Sequence, residues 1–422
     1  MVDVRRSASG AVRILRDAWL IVGITLALLV ALEVAYRPES AARLALRRLR
    51  AGPASEPPDP WSATAWAVDY MHDDSLEGKF RWKPYVYLRN PTFTGRVMSV
   101  DAEGRRVTVQ QSRSARPFEV WVFGGSTAFG WFQRDSFTIA SEIARQLAPR
   151  NVKVTNFGVP GFVFTQELLE LQGELRAGRH PDVVLFYDGV NDMWTALLDG
   201  VAGLTENEVN RAADFAAGRA RAADSAATLR ADARVTAHSI MQVARRLLFV
   251  RRLRGLPPQF PPRISSDSAA RSVAHTYAAT VRIAEAMAKE FGFSVVYAWQ
   301  PSLLSTHKPM TKRERWLVES FKDTVFGQEF RAGMGLVRAP LSAQMKPLVR
   351  DRFLDLSDLF RSARGEVYVD VYGHTYESAN TVIAAAMIPA IVRALPDSGA
   401  SRTVASETHV RADARLDAIR IP

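Results

Sequence analysis

The stretch "VWVFGGSTAFGWFQRD", residues 120–135, runs from an apolar strand into two glycines, a serine and a threonine, and then into the start of a helix. A Gly-Gly-Ser turn on its own is more often chain punctuation than chemistry. The standing of Ser126 therefore depends on what the rest of the chain brings to the end of that strand. From Phe118 onward, "FEVWVF", "VKVTNF", "DVVLFY", "SVVYAW" and "VYVD" alternate with amphipathic stretches such as "SFTIASEIARQL" and "TQELLELQGEL". Continuously apolar strands joined by helical crossovers predict a parallel sheet covered on both faces. The expected fold class is α/β, a three-layer α/β/α sandwich around a five-stranded parallel sheet. In open sheets of this type, ligands bind beyond the carboxyl ends of the strands.

Four of the five predicted strands end on polar or glycine residues. "GGST" carries Gly125 and Ser126, "NFGVPG" carries Asn156 and Gly161, "DGVND" carries Gly189, Asn191 and Asp192, and "DVYGH" carries Asp370 and His374. One such end means little, but four on a single sheet edge mark a site. Acyl transfer is the chemistry these groups support. A serine hydroxyl needs a base, and a neutral imidazole with a pKa of about 6.5 serves near neutral pH. His374 is the candidate, because no other histidine in the chain has a strand before it and a helix after it. Asp370 is close enough to fix the imidazole tautomer. The backbone N–H groups of Ser126 and Gly161 and the amide of Asn191 are candidate oxyanion donors. A residue without a side chain at 161 lets the backbone approach closely. Gly125, Asn156, Gly189 and Asp192 are read as supporting residues. No His-Glu-x-x-His, cysteine pair or calcium loop occurs, so no metal and no cofactor is expected.

"FGGST", "NFGVPG", "GVND" and "DVYGHTYESAN" resemble, in order, the four blocks of the SGNH (GDSL-like) hydrolases, a superfamily of esterases, lipases and carbohydrate deacetylases. The resemblance spans residues 118–395. It implies a flavodoxin-like fold with Ser126 as nucleophile, Gly161 and Asn191 as oxyanion donors, and His374 with Asp370 as base and orienter. "WQPSLLSTHKPMTKRE" is similar to the strand and loop before the last block in some bacterial members. Two positions depart from the pattern. Gly125 stands where the first block usually has aspartate, and Asp370 stands four residues before His374 where the family has three, with Gly373 available to absorb the extra residue. The nucleophile elbow of the α/β-hydrolases is a poorer match, since it needs Gly-x-Ser-x-Gly and Ala128 occupies the last position.

With 47% hydrophobic and 23% charged residues in 422, the chain has a globular composition. A net charge of +11 fits an anionic partner, but arginine is spread along the whole chain and no nucleic-acid-reading pattern occurs. No nucleic-acid partner is expected. The absence of cysteine removes disulfides, thiolate zinc sites and a cysteine nucleophile. A basic segment at 1–17 precedes "AWLIVGITLALLVALEVAY", residues 18–36, which is long enough for a transmembrane helix. It reads as a signal anchor, because it is long for a signal peptide and no Ala-x-Ala site closes it. Arginines lie on both sides, so the positive-inside rule gives no vote on orientation. The expected order then runs through a proline-rich linker at 37–60, a small β extension at 61–117, and the hydrolase domain at 118–395. A basic helical insertion at 195–267, read as a lid or substrate platform, interrupts that domain, and a disordered tail at 396–422 follows it. The expected protein is a single-pass membrane serine esterase with a periplasmic catalytic domain. It would hydrolyse or transfer an ester-linked acyl group, such as acetyl, on a cell-envelope glycan or lipid. The alternative is a catalytically silent protein of the same fold that binds or assembles polysaccharide. Intact Ser126, Asn191 and His374 oppose it.

Overall fold

Four of the apolar runs form strands where the sequence places them. In the computed structural model of the chain, the described residues are 57–206 and 262–396, apart from 78–79, 110, 113, 115 and 323–324, together with 19, 20, 23, 208, 211, 212 and 215. Most of the expected anchor at 18–36, most of the insertion at 195–267 and the tail beyond Pro396 lie outside them. No helix among the described residues is long and apolar enough to cross a membrane.

The chain enters through α1 (Ala67–Glu77) and two short antiparallel pairs, β1 (Arg81–Lys83) with β2 (Tyr87–Arg89) and β3 (Phe93–Thr94) with β4 (Ser99–Val100). Then follow β5 (Phe118–Gly124), α2 (Ser126–Phe129), α3 (Ile139–Leu147), β6 (Val152–Asn156), α4 (Phe164–Arg176), β7 (Val183–Asp188) and α5 (Val190–Asp199). The last part contains α6 (Ser266–Phe291), β8 (Ser294–Trp299), α7 (Lys312–Lys322), α8 (Val325–Leu336), α9 (Arg338–Val349), β9 (Phe353–Asp355) and α10 (Glu377–Ala394). The main sheet is parallel throughout, in the order β6-β5-β7-β8-β9. Val120 stands in register with Val154 on one side and Val183 on the other. Helices α3 and α10 pack on one face, and α4, α5, α6, α8 and α9 form the other layer. Every residue of β7 is buried, which explains its uninterrupted apolar run. Each such Val, Leu or Phe contributes about 1.5–3 kcal/mol by leaving water. The long α6 is bounded by local chemistry. The Ser265 hydroxyl accepts from the Ser268 N–H, and Gly292 ends the helix at φ 74°.

The fifth strand corrects the sequence reading. "VYVD" does not join the sheet; the edge strand is β9, only three residues long and incompletely buried. Residues 367–376 instead fold back on themselves, with a bridge between Tyr368 and Thr375 and hydrogen bonds from Val369 N to His374 O (2.9 Å) and Tyr376 N to Val367 O (3.0 Å). The alternation in "VYVD" is that of a small hairpin lying over the sheet rim. With that order, the sheet direction reverses at β5 and β7. The residues after these two strands flank the crevice where such folds bind ligands.

Candidate active site

Ser126 is the first residue of α2, just beyond β5, and the residue is nearly buried at 9% exposure. The Nε2 of His374 lies 2.7 Å from Ser126 Oγ, although 248 residues separate them in the chain. On the other side of the ring, Nδ1 lies 2.6 Å from Asp370 Oδ2. The carboxylate fixes the tautomer: with the Nδ1 proton donated to Asp370, the Nε2 lone pair accepts the serine proton. Asp370 has a second task, since its Oδ1 accepts from the Tyr372 N–H at 2.8 Å and from the His374 N–H at 3.4 Å. One oxygen shapes the turn and the other holds the imidazole. The four-residue spacing is accommodated by Gly373, at φ 90°, where a Cβ would lie 2.7 Å from Gln300 Nε2.

Asn191, Asn156 and the loop of Gly161 contact the turn that carries Ser126, whereas Gly189 and Asp192 make their contacts with Trp299 and Phe164. Asn191, in the first turn of α5, donates Nδ2 to Phe162 O at 2.8 Å, and its amide lies so close over Gly125 that a Cβ at 125 would collide with it. An amide nitrogen carries two protons, so one remains for a ligand. Gly161 occupies the loop after β6 at φ 82°, and that loop is tied to the serine strand by Val159 N to Gly124 O at 3.0 Å. Asn156 is a tether. Its Nδ2 donates to Ala128 O at 2.9 Å and its Oδ1 accepts from Gly158 N at 2.8 Å, locking the Gly161 loop to the serine helix. Gly189 is the residue before α5, packed on the Trp299 ring. Asp192 Oδ1 accepts from Phe164 N at 3.3 Å, joining α5 to the start of α4, and burial raises its carboxyl to about 6. No group of acids and histidines among the described residues is arranged to hold a metal ion.

Sequence reasoning missed the wall behind His374. Trp131 and Phe132 both stand 5.4 Å from the imidazole, centroid to centroid, Phe132 edge-on. Phe132 adopts φ 64°, an unusual conformation for a bulky residue. Its N–H is held by Tyr70 Oη at 2.8 Å and its carbonyl by Trp61 Nε1 at 2.8 Å. Arg106, fully buried, donates to Gly130 O (3.2 Å), Gln133 O (2.7 Å) and Asp135 Oδ1 (2.5 Å) and so fastens the same loop from below. Burial pushes Asp135 up, and Arg106 pulls it partly back. The aromatic pair was visible in "FGWFQRD", but nothing local said that it faces a histidine.

The class that fold and site define is a parallel α/β protein with a serine, an imidazole and a carboxylate in one hydrogen-bonded line at the sheet rim. This is the layout that the resemblance to SGNH hydrolases implies. No family model matches the chain, and no curated relative matches it at a significant level. Solved structures similar to it include a lipolytic G-D-S-L family protein from Veillonella parvula, 11% identical with a TM-score of 0.34, covering 65% of this chain and 99% of its own. The acetyl xylan esterase AlAXEase is 12% identical with a TM-score of 0.35, covering 65% of this chain and 100% of its own. The acetylxylan esterase Axe2 from Geobacillus stearothermophilus is 12% identical with a TM-score of 0.31, covering 67% and 95%. Likenesses at that level carry no functional argument, and the chemistry rests on the geometry of this chain.

Proposed function

We propose that the protein is a serine esterase of the SGNH type, acting on an ester-linked acyl group. The observation that carries this is the unbroken line from Ser126 Oγ to His374 Nε2 at 2.7 Å and from His374 Nδ1 to Asp370 at 2.6 Å. His374 takes the hydroxyl proton as Ser126 Oγ attacks the ester carbonyl, and Asp370 stabilises the imidazolium. The developing oxyanion is met by the N–H groups of Ser126 and Gly161 and by the Asn191 amide. Collapse passes the His374 proton to the leaving alcohol and leaves an acyl-serine. Water, or a sugar hydroxyl in a transferase, then attacks with His374 again as base. The near-burial of Ser126 and His374 favours a small acyl group such as acetyl. The apolar 18–36 stretch supports membrane attachment; with the catalytic domain on the periplasmic side, a cell-envelope glycan or lipid is the natural bearer of that ester.

The test compares wild type with Ser126→Ala on p-nitrophenyl acetate and on acetylated glycan, with a serine-reactive phosphonate as label. The variant is expected to lose both labelling and about 10⁴-fold or more in kcat. Turnover and labelling that survive in Ser126→Ala would remove the serine from the mechanism. Acetyl recovered on an added acceptor sugar, in place of free acetate, would identify a transferase.

A further inference from the structure

The alcohol released from the ester takes its proton from His374, so its carbon skeleton begins beside the hairpin that carries the imidazole. On that hairpin Val371, Gly373, His374 and Thr375 are buried, and Tyr372 between them is 39% exposed. The Tyr372 N–H is held by Asp370 Oδ1 at 2.8 Å, which fixes the backbone under its ring two residues from the base.

A second aromatic side chain meets it from α5. Of the ten residues in that helix, only Asn191, Trp194 and Leu198 are incompletely buried. Spaced i, i+3 and i+7, they share one helix face, so the open face that begins with the oxyanion candidate Asn191 continues to Trp194. The Trp194 and Tyr372 rings meet edge to face, 5.4 Å between centroids. Buried Phe326 and Phe330 of α8 brace Trp194 at 4.5 and 5.5 Å, and Phe321 of α7 stands 5.9 Å from Tyr372. Among the described residues, neither the indole N–H of Trp194 nor the hydroxyl of Tyr372 has a hydrogen-bond partner. Burial and the neighbouring Asp370 raise the Tyr372 phenol, which keeps it a donor.

Two aromatic rings with an unused N–H and an unused O–H match a pyranose, which offers a C–H face to the rings and hydroxyls to the polar tips. An alkyl chain laid over the same surface would strip water from both tips and return no hydrogen bond. We propose that Trp194 and Tyr372 form a subsite for the pyranose ring that bears the ester, which makes the natural alcohol a sugar and not a lipid. This deepens the esterase function proposed above and rests on it.

The full-length protein is assayed by pH-stat on three acetyl esters: glucose pentaacetate, the ring-free ethyl acetate, and octyl acetate as a lipid-like alcohol. Wild type is expected to show its highest kcat/KM on glucose pentaacetate. Trp194→Leu lowers the ratio of kcat/KM on glucose pentaacetate to that on ethyl acetate by about 10-fold, the scale of one lost aromatic contact, with the loss mainly in KM. Tyr372→Phe removes one hydroxyl from a partly exposed side chain and lowers the same ratio several-fold; it carries the test if Trp194→Leu does not fold. A ratio unchanged in the folded variants overturns the proposal, because an equal fall on both esters is the mark of a merely structural role. Wild-type preference for octyl acetate overturns it too, and gives the surface to a lipid. Binding is read apart from turnover, by calorimetry of glucose pentaacetate with Ser126→Ala and with the same variant carrying Trp194→Leu or Tyr372→Phe. Binding weakened by those substitutions, in a protein whose wild type turns over no ester, would fault the proposed reaction and leave the sugar subsite standing. Turnover of ethyl acetate with binding indifferent to both substitutions would do the reverse.

Discussion

At Gly125 the chain lacks the aspartate of the block it resembles, and the space explains why. The Asn191 amide occupies the position a Cβ would take, held there by its hydrogen bond to Phe162 O. Gly125→Asp, which would restore the commoner motif, is therefore expected to displace the amide. It should lower kcat by about 10²–10³-fold, the scale of losing one oxyanion donor. Wild-type kcat for that variant on p-nitrophenyl acetate would contradict the placement of Asn191. Ser126, Asn191 and His374 were legible from the sequence because each follows a strand or precedes a helix in a recognisable local pattern. The empty space at 125 was not, because it is filled from a segment 66 residues away.

The element that sequence reasoning overlooked is α1. "AVDYMHDDSLE" is short and rich in acids, and a helix of that length gains its stability from packing more than from propensity. Here the packing is supplied by Trp61, Tyr70 and Phe129 in a cluster that also holds Phe132. Asp73, fully buried on α1, accepts from Val97 N at 2.7 Å and Met98 N at 3.0 Å and so joins the helix to the β3–β4 turn. Through Tyr70, α1 keeps Phe132 against the imidazole. Tyr70→Phe leaves the Phe132 N–H without its partner, at a cost of about 1–3 kcal/mol. The expected result is a lower Tm by calorimetry together with a several-fold fall in kcat. A lower Tm with kcat unchanged would separate α1 from catalysis. The edge strand β9 was missed for a related reason. Three half-exposed residues give no periodic signal, whereas the hairpin at 367–376 imitates a strand by alternating apolar and polar residues.

For the molecule as a whole, the buried acids set a pH dependence of stability. Asp192 titrates at about 6 in the folded protein and at about 3.9 in an unfolded chain. Below about pH 4 both states hold the proton and the group contributes nothing. Between about 4 and 6 only the folded state holds it, so stability falls as pH rises, by at most about 1.4 kcal/mol per pH unit. Asp192→Asn, which still accepts from the Phe164 N–H, is expected to flatten the dependence of Tm on pH across that window. A slope identical to wild type would rule out the titration of Asp192 as its source. The sequence by itself determined the alternation of apolar strands with amphipathic helices and the polar segments that end the strands, because periodicity and turn chemistry are local properties of the chain. Only the tertiary structure decided the strand order, the identity of the fifth strand, the docking of α1 behind His374 and the filling of the space at Gly125 by the Asn191 amide. Those depend on which distant residues share a volume, and no local pattern carries that information.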